Sequence, residues 1–247
     1  MSLTWLESGI GPALLREESL QVAGAFENIF GDQLLQIGEW GDSGLFRRFA
    51  RTRRYAVVSA TRGPGVDFVS ELENLAVAND SIDAVFLPHT LETAKHPHSV
   101  LREFYRILRP DGHVVVAGFN AWGLWGVRHQ LSRGKFPAGV RRMVSEYRVR
   151  DWLQLLEFSA QSARFHFVSP PLYGTRRPIA PLAEEAAETD AKRLATNAPA
   201  CRWHPLAACY LLVARRDVFS VTPIRPAIRR QTRLVGGLVN PTTRNAA

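Results

Sequence analysis

Cysteine is scarce in this 247-residue chain: Cys201 and Cys209 are the only two. That is too few for a disulfide framework, and no third and fourth ligand accompanies them at the spacing of a structural zinc motif. A reducing compartment fits such usage. Lysine is scarcer still for its type, with Lys95, Lys135 and Lys192 against 28 arginines, so the basicity is arginine basicity and in keeping with arginine-favouring codon usage. No apolar run approaches the roughly 18 to 20 residues of a membrane-spanning helix. Residues 1–18 also lack the basic start and apolar block of an export signal. The expectation is a soluble, cytoplasmic protein without a membrane span. Internal repeats and low-complexity tracts are missing as well.

What is present is a 46% hydrophobic composition over a length suited to one large α/β domain. The net charge of +8 is unevenly placed, because residues 215–247 hold seven arginines against one acid. The domain itself is close to neutral. Residues 227–247 read as a basic, flexible tail, able to make weak nucleic-acid contact without specifying a sequence.

Helical spacing begins at Pro12 and runs through Leu14, Leu15, Val22, Phe26 and Ile29. Strand-length apolar runs follow at 33–37, 55–60 and 82–87, with a half-apolar run at 66–72. Between the first two runs, Leu45, Phe46 and Phe49 fall on one face of residues 43–52, which predicts a helix covering the sheet. Residues 97–109 form the clearest helix, with Val100, Leu101, Phe104, Ile107 and Leu108 in one stripe. Pro110 stops it, Asp111 and Gly112 predict a tight turn, and 113–118 read as a strand buried on both faces. A helix around 122–131, another near 149–159, and strands at 164–168 and 207–214 complete the pattern. Residues 170–205 are long for a connection and read as an insertion or lid, with a polar helix at 182–195. Alternating elements of this kind predict a doubly wound α/β domain over 1–226. Its sheet is mostly parallel and seven-stranded, with helices on both faces and a ligand crevice at the carboxyl ends of the strands.

Two stretches carry a family resemblance. Residues 101–116, reading Leu-Arg-Glu-Phe-Tyr-Arg-Ile-Leu-Arg-Pro-Asp-Gly-His-Val-Val-Val, resemble the L-R-E-x-x-R-V-L-x-P-G-G segment of class I S-adenosylmethionine-dependent methyltransferases. Glu71, Leu75 and Asp83 preserve the spacing of that family's stretch before the fourth strand. Local sequence at 87–92, 118–120, 151–156 and 211–215 is similar to a bacterial branch of the type 11 methyltransferases. The resemblance implies the methyltransferase-like Rossmann fold, S-adenosylmethionine as cofactor, and an unknown small-molecule or macromolecular methyl acceptor.

It also implies a cofactor site at Gly38, Trp40, Gly41, Ser59, Glu71, Leu72 and Leu87. The family's glycine loop lets backbone approach the cofactor closely. Here only Gly38 keeps its register, Gln36 replaces an acid, Trp40 stands in place of a glycine, and Gly41 is displaced by one. Ser59 replaces the acid that binds the ribose, leaving Glu71 as the surviving acid, opposite the adenine amino group. After the fourth strand, His89 is the candidate general base, its alternative being a loop histidine bonded to backbone. Asn120 and Trp122 are candidate substrate-lining residues, with Trp122 and Trp125 alternatively packing. His96, His98 and His113 have no acid at ligand spacing, and no metal is expected. The leading function is methyl transfer. A catalytically silent binding or scaffolding module is the alternative, and an RNA-associated methyltransferase, resting on the arginine tail, comes third.

Overall fold

The computed structural model describes residues 4–7, 9–42, 44–133, 136–161, 163–168 and 206–217. The expected insertion at 170–205 with its helix, Cys201, and the tail at 227–247 lie outside the described residues.

Helix α1 (Gly11–Phe26) starts on a proline and buries Leu14, Glu18, Val22 and Ala25, one residue per turn. It leads into β1 (Phe30–Ile37), β2 (Arg51–Ser59), the two-residue β3 (Phe68–Val69) and β4 (Ile82–Pro88). The short α2 (Thr90–Thr93) and α3 (Pro97–Ile107) precede β5 (Leu108–Phe119). Helices α4 (Leu124–Leu131) and α5 (Glu146–Leu155) come next. Strands β6 (Phe158–Ala160), β7 (Arg164–Val168) and β8 (Ala207–Arg216) complete the order.

The sheet runs β3-β2-β1-β4-β5-β8-β6, with β7 also on β8. Strands β1 to β5 pair in parallel, while β8 is antiparallel to β5. Because β6 pairs Arg216 to Ala214 and β7 pairs Leu211 to Ala207 on the same partner strand, the two are halves of one broken strand. Eight strands therefore fill seven positions, as expected for the doubly wound sheet. Two apolar cores lie on opposite faces. One joins Ile37, Val85, Leu87, Phe104, Val149 and Tyr210 beneath α3 and α5; the other joins Trp5, Phe26, Trp40, Phe86, Phe119 and Trp125 beneath α1 and α4.

Three local expectations are corrected. The helix expected at 43–52 is only a 3-10 turn, Arg47–Phe49, and β2 has begun by Arg51. Gly38, Gly41 and Gly44 adopt left-handed φ of 91°, 69° and 88°, which no helix tolerates, yet Phe46 still reaches the core from the turn. The strand expected at 66–72 shrinks to Phe68–Val69. Asp111 and Gly112 do not separate helix from strand; they form a bulge inside β5, where register jumps from Ile82 opposite Leu108 to Ala84 opposite His113.

The motif around α3 has a structural explanation. Glu103 Oε1 accepts the Leu75 N–H at 2.7 Å, and Arg106 Nη2 donates to the Leu75 carbonyl at 3.0 Å. Glu103 and Arg106 also pair with each other, so both backbone groups of Leu75 are held by one charge-compensated clamp. Burial opposes ionisation of Glu103 less than the Arg106 bond favours it, and its pKa lies below the ordinary glutamate value. At the start of β4, Asp83 accepts the Asp32 and Gln33 N–H groups and Arg109 Nη1, each at 2.8 Å. Burial would raise the Asp83 pKa, but these donors outweigh it and hold the carboxyl below its usual range.

Candidate functional site

The loops after β1, β2 and β4 are tied together at the carboxyl edge of the sheet. Gly38 N–H donates to the Val58 carbonyl at 2.7 Å, and Thr90 Oγ1 donates to the Ile37 carbonyl. A Cβ at Gly38 would lie 3.2 Å from Thr90 Oγ1, so the left-handed φ and the close approach both favour glycine there. Gln36 spans the loop, donating to the Gly38 carbonyl at 2.9 Å and accepting from the Tyr55 hydroxyl. A carboxylate at 36 would lose the donation to Gly38, which accounts for an amide in place of the family's acid.

Gly38, Ser59 and Leu87 thus stand on adjoining strand ends. Ser59 is buried, its Oγ accepting a long 3.4 Å bond from Thr61 N–H. Glu71 lies one strand further out, exposed, in a tight turn paired with Asn74, and the half-buried Leu72 packs on the core. Within the glycine loop, Glu39 points toward the loop after β2. Its Oε1 is buried with no hydrogen-bond partner among the described residues, and a Cβ at Gly63 would fall 2.0 Å from it. An unmatched acceptor therefore lies at the seam between the β1 and β2 loops.

Trp40 turns away from that seam into the core beneath α1, only 2% exposed. Its Nε1 donates to Glu18 Oε2 at 2.6 Å, and its ring stacks on His89 with centroids 4.1 Å apart. The displaced Gly41 lets the chain pass the Leu15 and Leu45 side chains.

His89 adopts a left-handed φ of 54° directly after β4 and is fully buried. Its Nε2 faces Glu18 Oε1 and its Nδ1 faces Glu92 Oε2, both at 2.7 Å. The other Glu92 oxygen accepts the Phe119 N–H at 2.8 Å, tying the ends of β4 and β5. Burial alone would lower the His89 pKa, but the two carboxylates outweigh it and push it up to about 9. Each ring nitrogen of His89 thus faces a carboxylate, and Trp40 and Phe119 cover the ring; burial pushes the Glu92 carboxyl up as well. In this arrangement His89 cannot accept a proton from an acceptor.

Asn120 is buried and structural in its contacts: Nδ2 donates to the Ala207 carbonyl and Oδ1 accepts the Trp122 N–H. Trp122 is 74% exposed, whereas Trp125 is buried against Phe119. Of the other histidines, His96 and His98 are exposed, and His98 rests on Trp152. Sequence reasoning passed over Glu18 and Glu92. The signal for Glu18 was a carboxylate in the apolar stripe between Leu14 and Val22; for Glu92 it was an acid three residues after a strand-end histidine.

Residues 49–116, from the 3-10 turn through most of β5, match the methyltransferase domain family model. The uncharacterized protein YafS of Escherichia coli is 33% identical over 144 residues, which cover 57% of this chain and 59% of that protein. Among solved structures, a Thermotoga maritima methyltransferase described as a possible histamine N-methyltransferase superposes with a TM-score of 0.58 at 16% identity, covering 83% of this chain and 92% of its own. A methyltransferase from Archaeoglobus fulgidus gives 0.56 at 13% identity, covering 82% and 93%. The [4+2]-cyclase SpnF gives 0.55 at 16% identity, covering 86% and 85%. Residues 49–116 are thus similar to the methyltransferase domain family, and the chain has the fold of these S-adenosylmethionine-dependent methyltransferases.

Proposed function

We propose that this protein binds S-adenosylmethionine at the carboxyl edge of β1, β2 and β4 and transfers its methyl group to an acceptor of a class still to be identified. The observation that carries the reading is the unmatched Glu39 carboxylate oxygen against Gly63, between the loops after β1 and β2, where Ser59 stands in place of the ribose-binding acid that the resemblance implies on β2. A nucleoside hydroxyl donated to Glu39 would satisfy it, and Ser59 offers a second hydroxyl contact. The residues present therefore fit the nucleoside half of the cofactor. The half-buried Leu72 would offer apolar contact and the exposed Glu71 would accept from the adenine amino group, whereas Leu87 is fully buried in the core and the space at Gly38 is taken by Thr90.

The bound cofactor supplies a methyl already activated on a sulfonium, so the protein's tasks are alignment and exclusion of water. The Trp40, Phe119 and Trp125 cluster supplies a dry wall on the β4 and β5 side. His89 serves there to lock three loops rather than as a base. The acceptor must bring a nucleophile that needs no deprotonation by His89, or lose its proton to water.

A second reading, a catalytically silent binding module, is favoured by one observation: the side chains of Trp40, His89, Phe119 and Trp5 fill the α1 side of the crevice. A neighbour named as a [4+2]-cyclase adds that this fold alone does not fix the reaction. Titration calorimetry with S-adenosylhomocysteine separates the two. Binding that weakens about tenfold in Glu71→Ala or Glu39→Gln, and only a few-fold in Ser59→Ala, supports the enzyme reading, since a charged hydrogen bond contributes roughly 1.5–3 kcal/mol against about 1 for a neutral one. No heat at millimolar ligand would leave the silent module.

A further inference from the structure

On the α1 face of the sheet, away from the β1–β2 seam, three buried side chains that can ligate a metal converge without any sequence proximity. His166 and Cys209 are directly opposed partners on the antiparallel strands β7 and β8, so their side chains leave the same face of the sheet. Glu18 comes down on them from the middle of α1, whose other buried positions are mostly apolar. One ligand atom from each residue lies within 4.8 Å of the other two, and all three residues are buried. His166 is 4% exposed, and among the described residues neither of its ring nitrogens has a hydrogen-bond partner. A buried imidazole that reaches no better than a weak contact with the Arg164 backbone is costly and calls for a missing partner.

We propose that Glu18, His166 and Cys209 form a structural zinc site that fastens α1 to the β7–β8 edge of the sheet. The donor set of one thiolate, one imidazole and one carboxylate suits a borderline-soft ion that takes Zn–S bonds of about 2.3 Å and Zn–N and Zn–O bonds of about 2.0–2.1 Å. Closing the three atoms onto one ion requires about 1 Å of side-chain movement, within the reach of Glu18 and His166 rotamers. The carboxylate and the thiolate bring two negative charges, which balance a dication where uncompensated charge is strongly disfavoured. Binding releases the Cys209 proton to solvent, ending the hydrogen bond that the thiol makes to Glu18, and breaks no other covalent bond. Glu18 is already oriented by Trp40 Nε1 and His89 Nε2, the outer hydrogen bonding that aims a ligating carboxylate. A fourth position remains for water or the second Glu18 oxygen. The ion enters as the strands assemble, because the finished site is enclosed. This proposal stands independently of cofactor binding.

The test is metal content and cobalt substitution on the full chain. Protein grown with added zinc and desalted should carry about one zinc per chain by mass spectrometry. Refolded with cobalt(II) alone, it should show thiolate-to-cobalt absorption in the near ultraviolet. Cys209→Ser should abolish that band, and both Cys209→Ser and His166→Gln should lower the metal content at least tenfold, while Cys201→Ser changes neither. Should those two variants fail to fold, the wild-type spectrum decides, together with a melting temperature that refolding with zinc, but not with magnesium, raises by roughly 5–10 °C over protein refolded with chelator. Wild-type protein with well under one zinc per chain and no zinc-dependent shift, a cobalt complex without the thiolate band, or a band surviving Cys209→Ser would each overturn the proposal.

Discussion

The two halves of the sheet are built differently. From β4 onward both faces are covered: α3 and α5 lie on one side, α1 and α4 on the other, and nearly every residue from Val114 to Asn120 is buried. From β1 through β3, the connections contain no α-helix; a 3-10 turn joins β1 to β2, and irregular loops join β2 to β3 and β3 to β4. The first half was recognisable from its motif because those residues hold the fold together. The half from β1 through β3 carries the glycine loop, and there loops pinned through Gln36, Thr90 and Asp67 join the strands.

This contrast predicts unequal responses to the same truncation. Phe104→Ala, in the fully buried face of α3, should cost about 3–5 kcal/mol in denaturant unfolding. Phe68→Ala, at the half-buried β3, should cost less than half of that. Equal losses would mean that the loop-connected half is as tightly packed as the other.

The Leu75 clamp joins the halves, and its removal should come next in size. Glu103→Ala leaves a buried N–H unmatched and the Arg106 guanidinium without its counter-charge, at a cost of roughly 1.5–3 kcal/mol. Hydrogen exchange at residues 70–80 should accelerate more than at β5. A uniform acceleration would show that the clamp supports the whole domain rather than this junction.

Acid should act through the same two carboxylates. Asp83 and Glu103 have folded pKa values below their unfolded ones, so the stability they contribute is present above about pH 4 to 4.5 and is lost as pH falls through the folded values. Unfolding midpoints measured between pH 5 and 2 should decline more shallowly in Asp83→Asn than in the wild type. An unchanged slope would place the acid sensitivity elsewhere.

The smallest effect is expected at the outer half of β2. Arg53 is 85% exposed and lies 3.6 Å from Asp32, so Arg53→Ala should change stability by no more than about 0.5 kcal/mol. A larger loss would mean that the groove lined by Arg47, Arg53, Arg54 and Tyr55 is more than solvated surface.

Much of the architecture was legible because strand-length apolar runs and the α3 stripe obey their periods. The starts of β4 and β8 fall on the residues that their sequence runs begin with, and α3 ends two residues early because β5 takes over at Leu108. Residues 43–52 show an apolar face at helical spacing that suits a turn equally well, and the left-handed glycines beside it decide for the turn. The candidate site was legible in position and less so in orientation. Strand ends put Gly38, Ser59 and His89 near one another, but nothing in the sequence tells which way Trp40 turns. The Glu18–His89–Glu92 chain depends on α1 crossing above β4, and the His166–Cys209 pairing depends on a register that the intervening residues 167–208 do not specify.

The interior position of β8 bears on how the chain assembles. It is the final strand described, yet it lies between β5 on one side and β6 with β7 on the other. Until residues 207–216 have left the ribosome, β5 keeps an open edge of apolar residues and neither β6 nor β7 has a neighbour to pair with. Nascent chains halted before β8 should therefore be sticky, chaperone-dependent intermediates, with sheet closure delayed to one late, long-range step.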